Sequence, residues 1–279
     1  MVTALGSFLE ARSGGGEWLV RIENIDPERE VPGAADDILR TLERLGLGWD
    51  GPVVFQDQRR SAYRTALEAL RERELIYRCR CSRRLAGGGV YPGTCRDQRL
   101  PASEPGTWRL RVAEAEITIS DAVQGEFRQD LATDCGDFVV WRADDWPAYH
   151  LAVVVDDAWQ GITQVVRGAD LLESTPRQCC LQSCLGLPRP RYAHLPLALD
   201  QTGAKLSKTT LAYPVAGVPA SRLLAQALAF LGLSVPPTLT GTAPSELLAW
   251  ALAHWRLAKV PPGARVPAAA PLSGEAGLA

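Results

Sequence analysis

Only three lysines occur in the chain, at 205, 208 and 259, so that nearly all positive charge is written as arginine. Two of them close on Ser207 in Gly203-Ala-Lys-Leu-Ser-Lys208. A lysine is a compact charge on a flexible stem that can follow negative charge as it develops on a phosphate, so Lys205 and Lys208 read as polyphosphate chemistry. A solvated loop is the competing reading, and the scarcity of lysine weighs against it.

Cys79, Cys81 and Cys95 form a second cluster, with Tyr91 between them in a glycine-rich stretch. Zinc takes four tetrahedral ligands, and thiolates on two short turns supply three of them, with the Tyr91 phenolate as a candidate fourth. Three reduced thiols in a loop fit the spacing equally well, because C-x-C is less diagnostic than paired C-x-x-C. The same stretch is basic, with eight arginines between 78 and 111, and reads either as a phosphate-facing or as a solvated surface.

Two further runs place charge at the ends of expected strands. Arg21-Ile-Glu-Asn-Ile-Asp26 sets Glu23 where a substrate ammonium could be received, since open α/β sheets bind ligands at the carboxyl ends of their strands. Tyr149-His-Leu-Ala-Val-Val-Val-Asp-Asp157 reads as a buried strand ending in paired acids, and Val165-Val-Arg167 as another ending in an arginine suited to a carboxylate. An ion pair of Arg167 with Asp156 or Asp170 is the alternative. His150, His194 and His254 stand alone and read as structural or surface residues, and Cys180 and Cys184 as small core residues.

The elements that must carry these groups alternate. Helices are expected at 2–12, 34–45 and 61–74, with strands at 18–23 and 53–55 between them, a parallel α/β pattern. The first helix has no capping residue before it, so the chain reads as entering that helix midway. Periodicity breaks at 78–117, strand-like segments follow at 116–120, 138–142 and 151–155, and helices at 175–185, 220–231 and 245–257. The 279 residues suffice for one large enzyme-sized unit. A net charge of −2 with 46% hydrophobic residues excludes a globally basic nucleic-acid binder and a disordered acidic chain. No run reaches the roughly 20 apolar residues of a membrane span and no signal pattern opens the chain, so a cytoplasmic location with reduced thiols is expected.

In this order, Arg21-Ile-Glu-Asn-Ile-Asp, the Cys79/Cys81/Tyr91/Cys95 set, the Tyr149 run, Val166-Arg-Gly-Ala-Asp170 and Lys205-Leu-Ser-Lys208 closely resemble the glutamyl-queuosine tRNA(Asp) synthetase family, from about residue 2 to 260. The resemblance implies an α/β fold with a class I Rossmann-type parallel sheet. Its halves would be 1–77 and 118–190, with a zinc-binding insertion at 78–117. A KMSKS-like loop with a helical stem would occupy 191–260, and a disordered tail 261–279. It implies that ATP with Mg²⁺ and glutamate form glutamyl-adenylate without tRNA, and that glutamate then passes to the queuosine base of tRNA(Asp). Glu23, Tyr149 and Arg167 would bind glutamate, Lys208 with Lys205 would serve ATP and catalysis, and Cys79, Cys81, Tyr91 and Cys95 would hold one structural zinc. A monomer is expected.

Two departures stand out. Asn24 occupies a position where Asp is common in the family. The opening strand, Arg-Phe-Ala-Pro-Ser-like turn and HIGH-like motif of the family do not precede Val2, so Met1 is expected to be a truncated or misassigned start and ATP binding by the chain as given to be impaired. The alternatives are a truncated glutamyl-tRNA synthetase that charges tRNA(Glu), and a non-catalytic zinc- and RNA-binding remnant.

Overall fold

The computed structural model describes residues 1–82, 89–113, 116–199, 217–239 and 241–263, together with the backbone of 265–267. Helix α1 (Val2–Ser13) buries Leu5, Phe8 and Leu9 at helical spacing, and its first residue is preceded by Met1 with no side-chain cap. Gly14 to Gly16 turn the chain into β1 (Arg21–Ile22). Helix α2 (Ala34–Arg44) leads to β2 (Val54–Phe55), which pairs parallel with β1. A parallel pair needs such a crossover, and α2 supplies it.

Helix α3 (Arg60–Glu72) and β3 (Ile76–Cys79) then deliver the first thiol. β3 lies in an antiparallel sheet with β4 (Thr107–Leu110) and β7 (Val139–Trp141). Between β4 and β7 come β5 (Glu116–Asp121), β6 (Gly125–Asp130) and the one-turn α4 (Leu131–Asp134). After β7 follow α5 (Tyr149–Trp159), β8 (Gln164–Gly168), α6 (Thr175–Leu185) and β9 (Arg191–Leu195). The order β6-β5-β9-β8 makes a four-stranded sheet in which β5, β9 and β8 run parallel. The expected α/β fold is therefore present, as a mixed fold with a parallel core.

The run at 149–157 is helical, which corrects the strand expected there. Three consecutive valines favour a strand locally, but Leu151, Ala152, Val153, Val154, Asp156 and Asp157 are all buried in α5, on more than one face. A helix buried all round has the continuous apolar composition of a buried strand, and only its eleven-residue length tells them apart.

Helices α7 (Ala220–Phe230) and α8 (Pro244–His254) pack with α1 around Leu224, Leu228, Leu231, Leu247 and Trp255. Trp255 Nε1 donates to Glu10 at 2.8 Å, tying this helical pair to α1. Strand β10 (Leu197–Leu199) pairs parallel with β11 (Arg265–Pro267), which falls within the stretch read as disordered. Lys205 and Lys208 lie outside the described residues, as does most of 261–279 beyond 263. No helix among the described residues is long and apolar enough to cross a membrane.

Candidate active site

Glu23 leaves the carboxyl end of β1 into a cavity of about 560 Å³ that Arg21, Asp157 and Gln160 also line. Arg21 is the hub. It donates to Asp157 at 2.8 Å and to Gln160 Oε1 at 2.7 Å, and lies 3.4 Å from Glu23. Burial pushes the carboxyls of both Glu23 and Asp157 above the usual range, and Arg21 and Arg167 pull them back only in part. Glu23 keeps 39% of its side-chain surface open to the cleft, so it is recessed among protein atoms yet reachable.

Arg167, near the carboxyl end of β8, is buried and held from behind. Its Nε donates to His194 Nε2 at 3.0 Å, and its Nη2 donates to Thr175 Oγ1 at 2.7 Å. His194 is fully buried on β9, with Nδ1 2.6 Å from Asp121 Oδ2. Since Nε2 accepts from Arg167, Nδ1 carries the proton and donates to Asp121, so the imidazole is neutral. This relay fixes the guanidinium plane and satisfies its rear edge. The ion pair of Arg167 with Asp156 does not form, because Gln56, Arg59 and Tyr63 all donate to Asp156, at 2.8, 2.6 and 2.7 Å.

Tyr149 opens α5. Burial raises its phenol, the Glu23 carboxylate raises it further, and Arg167 opposes. Glu23, Tyr149 and Arg167 lie near enough to bear on one another's charge, although the cavity wall itself includes Glu23 alone of the three. His150 packs against the rings of Tyr149 and Phe138, and burial lowers it to about 4, which leaves it neutral near pH 7.

The contributions of Arg21, Asp121, Thr175 and His194 escape a reading by motif. Arg21 and Asp157 stand inside quoted runs, but nothing in the sequence joins Asp121 to a histidine 73 residues away. Asn24 Oδ1 accepts from the backbone N–H of Asp57 at 3.1 Å, a contact an Asp could make equally well.

At the other end of the chain's chemistry, the sulfurs of Cys79, Cys81 and Cys95 lie within 4.8 Å of one another. Cys81 and Cys95 sulfurs are 3.6 Å apart, and the Tyr91 hydroxyl is 3.3 Å from Cys79 and 3.6 Å from Cys81. With bonds of roughly 2.3 Å to sulfur and 2.0 Å to oxygen, a tetrahedral zinc site has edges of about 3.5–3.8 Å, and these three distances lie close to that, so the donor set suits zinc. Burial raises the Cys79 thiol, but hydrogen bonds from Tyr91, the Cys81 backbone and Arg109 outweigh it and bring it to about 7.

Close backbone packing shapes this knuckle. Gly106 has φ +146, and a Cβ there would meet the Cys79 carbonyl oxygen at 2.3 Å, so the returning chain can cross β3 only as glycine. Asp137 is buried and accepts from Tyr77, Arg96 and the Val112 amide at 2.6, 3.0 and 2.8 Å. Four of the eight arginines are spent inside: Arg78 on Glu104, Arg96 on Asp137, Arg109 on Cys79 and the Asp137 carbonyl, and Arg111 on Arg96. Half-buried Cys180 and Cys184 pack against the core beside fully buried Cys179, as small apolar residues do.

Comparison with known proteins identifies the family. The model of the catalytic domain of class I tRNA synthetases (E and Q) matches residues 2–85 and 96–222. A glutamyl-Q tRNA(Asp) synthetase of Chromobacterium violaceum is 55% identical over 269 residues, covering 94% of this chain and 90% of the relative. Those of Dechloromonas aromatica and Pseudomonas aeruginosa are 51% and 50% identical, covering 94% and 96% of this chain and 90% and 92% of theirs. Among solved structures, a glutamate tRNA ligase from Elizabethkingia meningosepticum in complex with its amino acid shares the fold, with a TM-score of 0.78 at 24% identity over 96% of this chain. The glutamate-tRNA synthetase of Elizabethkingia anophelis gives 0.76 at 25% over 95%. The chain spans 63% and 64% of those two longer proteins. It belongs to the catalytic-domain family of class I tRNA synthetases, ligases for E and Q, and within it to the glutamyl-Q tRNA(Asp) synthetases.

Proposed function

We propose that the protein activates glutamate with ATP and Mg²⁺ as glutamyl-adenylate without tRNA, then transfers the glutamyl group to the queuosine base of tRNA(Asp). The observation that carries this reading is the pairing of a buried, rigidly backed Arg167 with the recessed acid Glu23 and the phenol of Tyr149. An amino acid is a zwitterion with a second carboxylate here, and the site offers one planar cation and two acids around one hydrogen-bonding hydroxyl. Arg167 meets a carboxylate of glutamate through the edge not engaged by His194 and Thr175, and Glu23 receives the ammonium.

So held, the reactive carboxylate oxygen attacks the α-phosphorus of ATP and pyrophosphate leaves with its bond electrons. Mg²⁺ accompanies ATP and offsets phosphate charge. Lys208, aided by Lys205, would follow the charge growing on the departing phosphates. A nucleophile on the modified base then attacks the acyl carbon and AMP departs. Cys79, Cys81, Cys95 and Tyr91 would hold one zinc, whose role would be to fix the knuckle. The enzyme works as a cytoplasmic monomer.

The test is ATP–pyrophosphate exchange with glutamate in the absence of RNA, followed by transfer of labelled glutamate to queuosine-containing tRNA(Asp) and to tRNA(Glu). Exchange without RNA and label on tRNA(Asp) are expected. Label on tRNA(Glu) alone would replace this reading by that of a shortened glutamyl-tRNA synthetase.

A further inference from the structure

A second cavity, of about 340 Å³, lies between the knuckle and helices α5 and α6. Tyr91, Arg109 and Asp137 line it from the knuckle, Phe138 from the approach to β7, and His150 and Arg177 from the two helices. Its charges are unevenly spent. Arg109 is engaged by the Cys79 sulfur and the Asp137 carbonyl, and the Asp137 carboxylate by Tyr77, Arg96 and the Val112 amide. Arg177 is different. No carboxylate pairs with it among the described residues, and its guanidinium leans on the Cys135 thiol, a weak acceptor whose own proton goes to the Gly136 carbonyl at 3.1 Å. The nearby carboxylate of Asp134 is turned to Thr133 and to the Asp130 amide, at 3.1 and 3.2 Å.

The place of Arg177 in its helix sharpens the imbalance. It sits in the first turn of α6, where the partial positive charge of the helix start repels a cation, and that turn holds no acidic residue. A nitrogen on the same cavity is unspent as well: His150 Nδ1 is buried and has no hydrogen-bond partner. Polar groups left without partners around one cavity mark a place where a ligand supplies them. The missing partner is an anion of low charge. One arginine without a counter-ion balances the single charge of a phosphodiester, whereas pyrophosphate would bring several. Phe138 and Val139 give the cavity an apolar side that a bare ion would not need. The location fits an acceptor strand, since the His150 ring is 5.4 Å from that of Tyr149, and Arg177 and Arg167 both act on its charge.

We propose that Arg177, with His150 beside it, forms a phosphodiester subsite that seats the RNA backbone next to the nucleotide receiving the glutamyl group. The inference rests on the reading that an RNA is the acceptor, and is independent of which RNA it is. Phosphate contacts fix register and orientation without reading sequence, so Arg177 sets how the strand lies rather than which strand is chosen. A guanidinium also offers a phosphate two parallel donors, and the thiol on which it leans is easily exchanged for a stronger acceptor.

The experiment measures equilibrium binding of queuosine-containing tRNA(Asp) and of tRNA(Glu) to wild type, Arg177→Ala and Arg177→Lys as salt rises from about 50 to 200 mM. Arg177→Ala is expected to bind the preferred RNA about tenfold more weakly at the low end. Its log–log salt slope should be shallower by roughly 0.7, the share of one phosphate on a single strand. Arg177→Lys keeps the charge and should keep the wild-type slope. Because the arginine opposes the helix dipole, Arg177→Ala should melt no lower than wild type. A clearly lower melting temperature would make Arg177 a residue of the fold and overturn the proposal. Equal affinity and slope in wild type and Arg177→Ala overturn it, and so does a weaker affinity with an unchanged slope, because packing rather than a phosphate contact would then be lost. Calorimetry with inorganic phosphate tests the other source: phosphate bound by wild type and not by Arg177→Ala, with RNA bound alike by both, assigns the cavity to a free anion and refutes the subsite. Failure of wild type to bind either RNA sinks the reading of function and this subsite together, whereas equal RNA binding by wild type and variant sinks the subsite alone.

Discussion

The cysteine knuckle and the Glu23 cleft both concentrate buried charge, yet they are wired over different distances. In the knuckle, Cys79 and Tyr91 are 12 residues apart and Cys81 and Cys95 are 14. In the cleft, Arg21 reaches Asp157 across 136 residues and Gln160 across 139. The knuckle is also closed: Asp137 has every neighbour it needs, and Arg109 lies 3.9 Å over the Tyr91 ring. The cleft is left short, with Glu23 and Asp157 both raised by burial and sharing Arg21. A satisfied cluster holds shape, and an under-satisfied one has interaction energy left for a ligand.

Breaking the knuckle is expected to give the largest effect. Cys81→Ser should reduce zinc from about one ion per chain to near none by plasma mass spectrometry, with a fall in the melting temperature, because a structural zinc contributes folding energy directly. Full occupancy in that variant would refute the ligand set. Arg167→Lys comes next: a lysine cannot keep both rear contacts and face a carboxylate, so KM for glutamate should rise about 30- to 1,000-fold with KM for ATP little changed. An equal rise in both would mean that Arg167 supports the fold rather than glutamate.

Two substitutions separate the regions from each other. Gly106→Ala forces a Cβ against the Cys79 carbonyl at a left-handed φ and should cost about 2 kcal/mol or more of stability. It should leave KM for glutamate unchanged, and a change there would join the two sites. His194→Ala removes the support of Arg167 without touching substrate, and should raise KM for glutamate about tenfold while kcat at saturation stays within about threefold. Unchanged KM would make the Asp121–His194–Arg167 relay purely structural.

The smallest effect carries a sign. A carboxyl raised by folding binds its proton more tightly in the native state, so its ionisation costs stability at neutral pH and nothing below the ordinary carboxylate range. Glu23→Gln should therefore melt no lower than wild type near pH 7, with any advantage vanishing as pH falls below about 4, while glutamate activation is lost. A variant that melts lower at pH 7 than wild type, and equally at pH 4, would show that Glu23 stabilises the fold as a carboxylate.

Local chemistry was legible in the residues themselves. The thiols and Tyr91 assemble from neighbouring turns, so their spacing along the chain already carries most of their spacing in space. Helices α2 and α3 follow from their apolar periodicity and stops, and the scarcity of lysine marks Lys205 and Lys208 by composition alone. The motif order was enough to point to the family.

Tertiary structure decided what depends on burial from several sides. Val153 to Val155 favour a strand in isolation, and packing all round makes them helical. Asp156 and Asp157 are adjacent and identical, but α5 turns one into a pocket of three donors and the other toward Arg21 and the cleft. His194 looks isolated along the chain because its partners come from β5, β8 and α6. A pattern of residue types can state which chemistry is available; which side chain is left with an unspent charge is settled only when the sheet brings distant segments together and water is excluded between them.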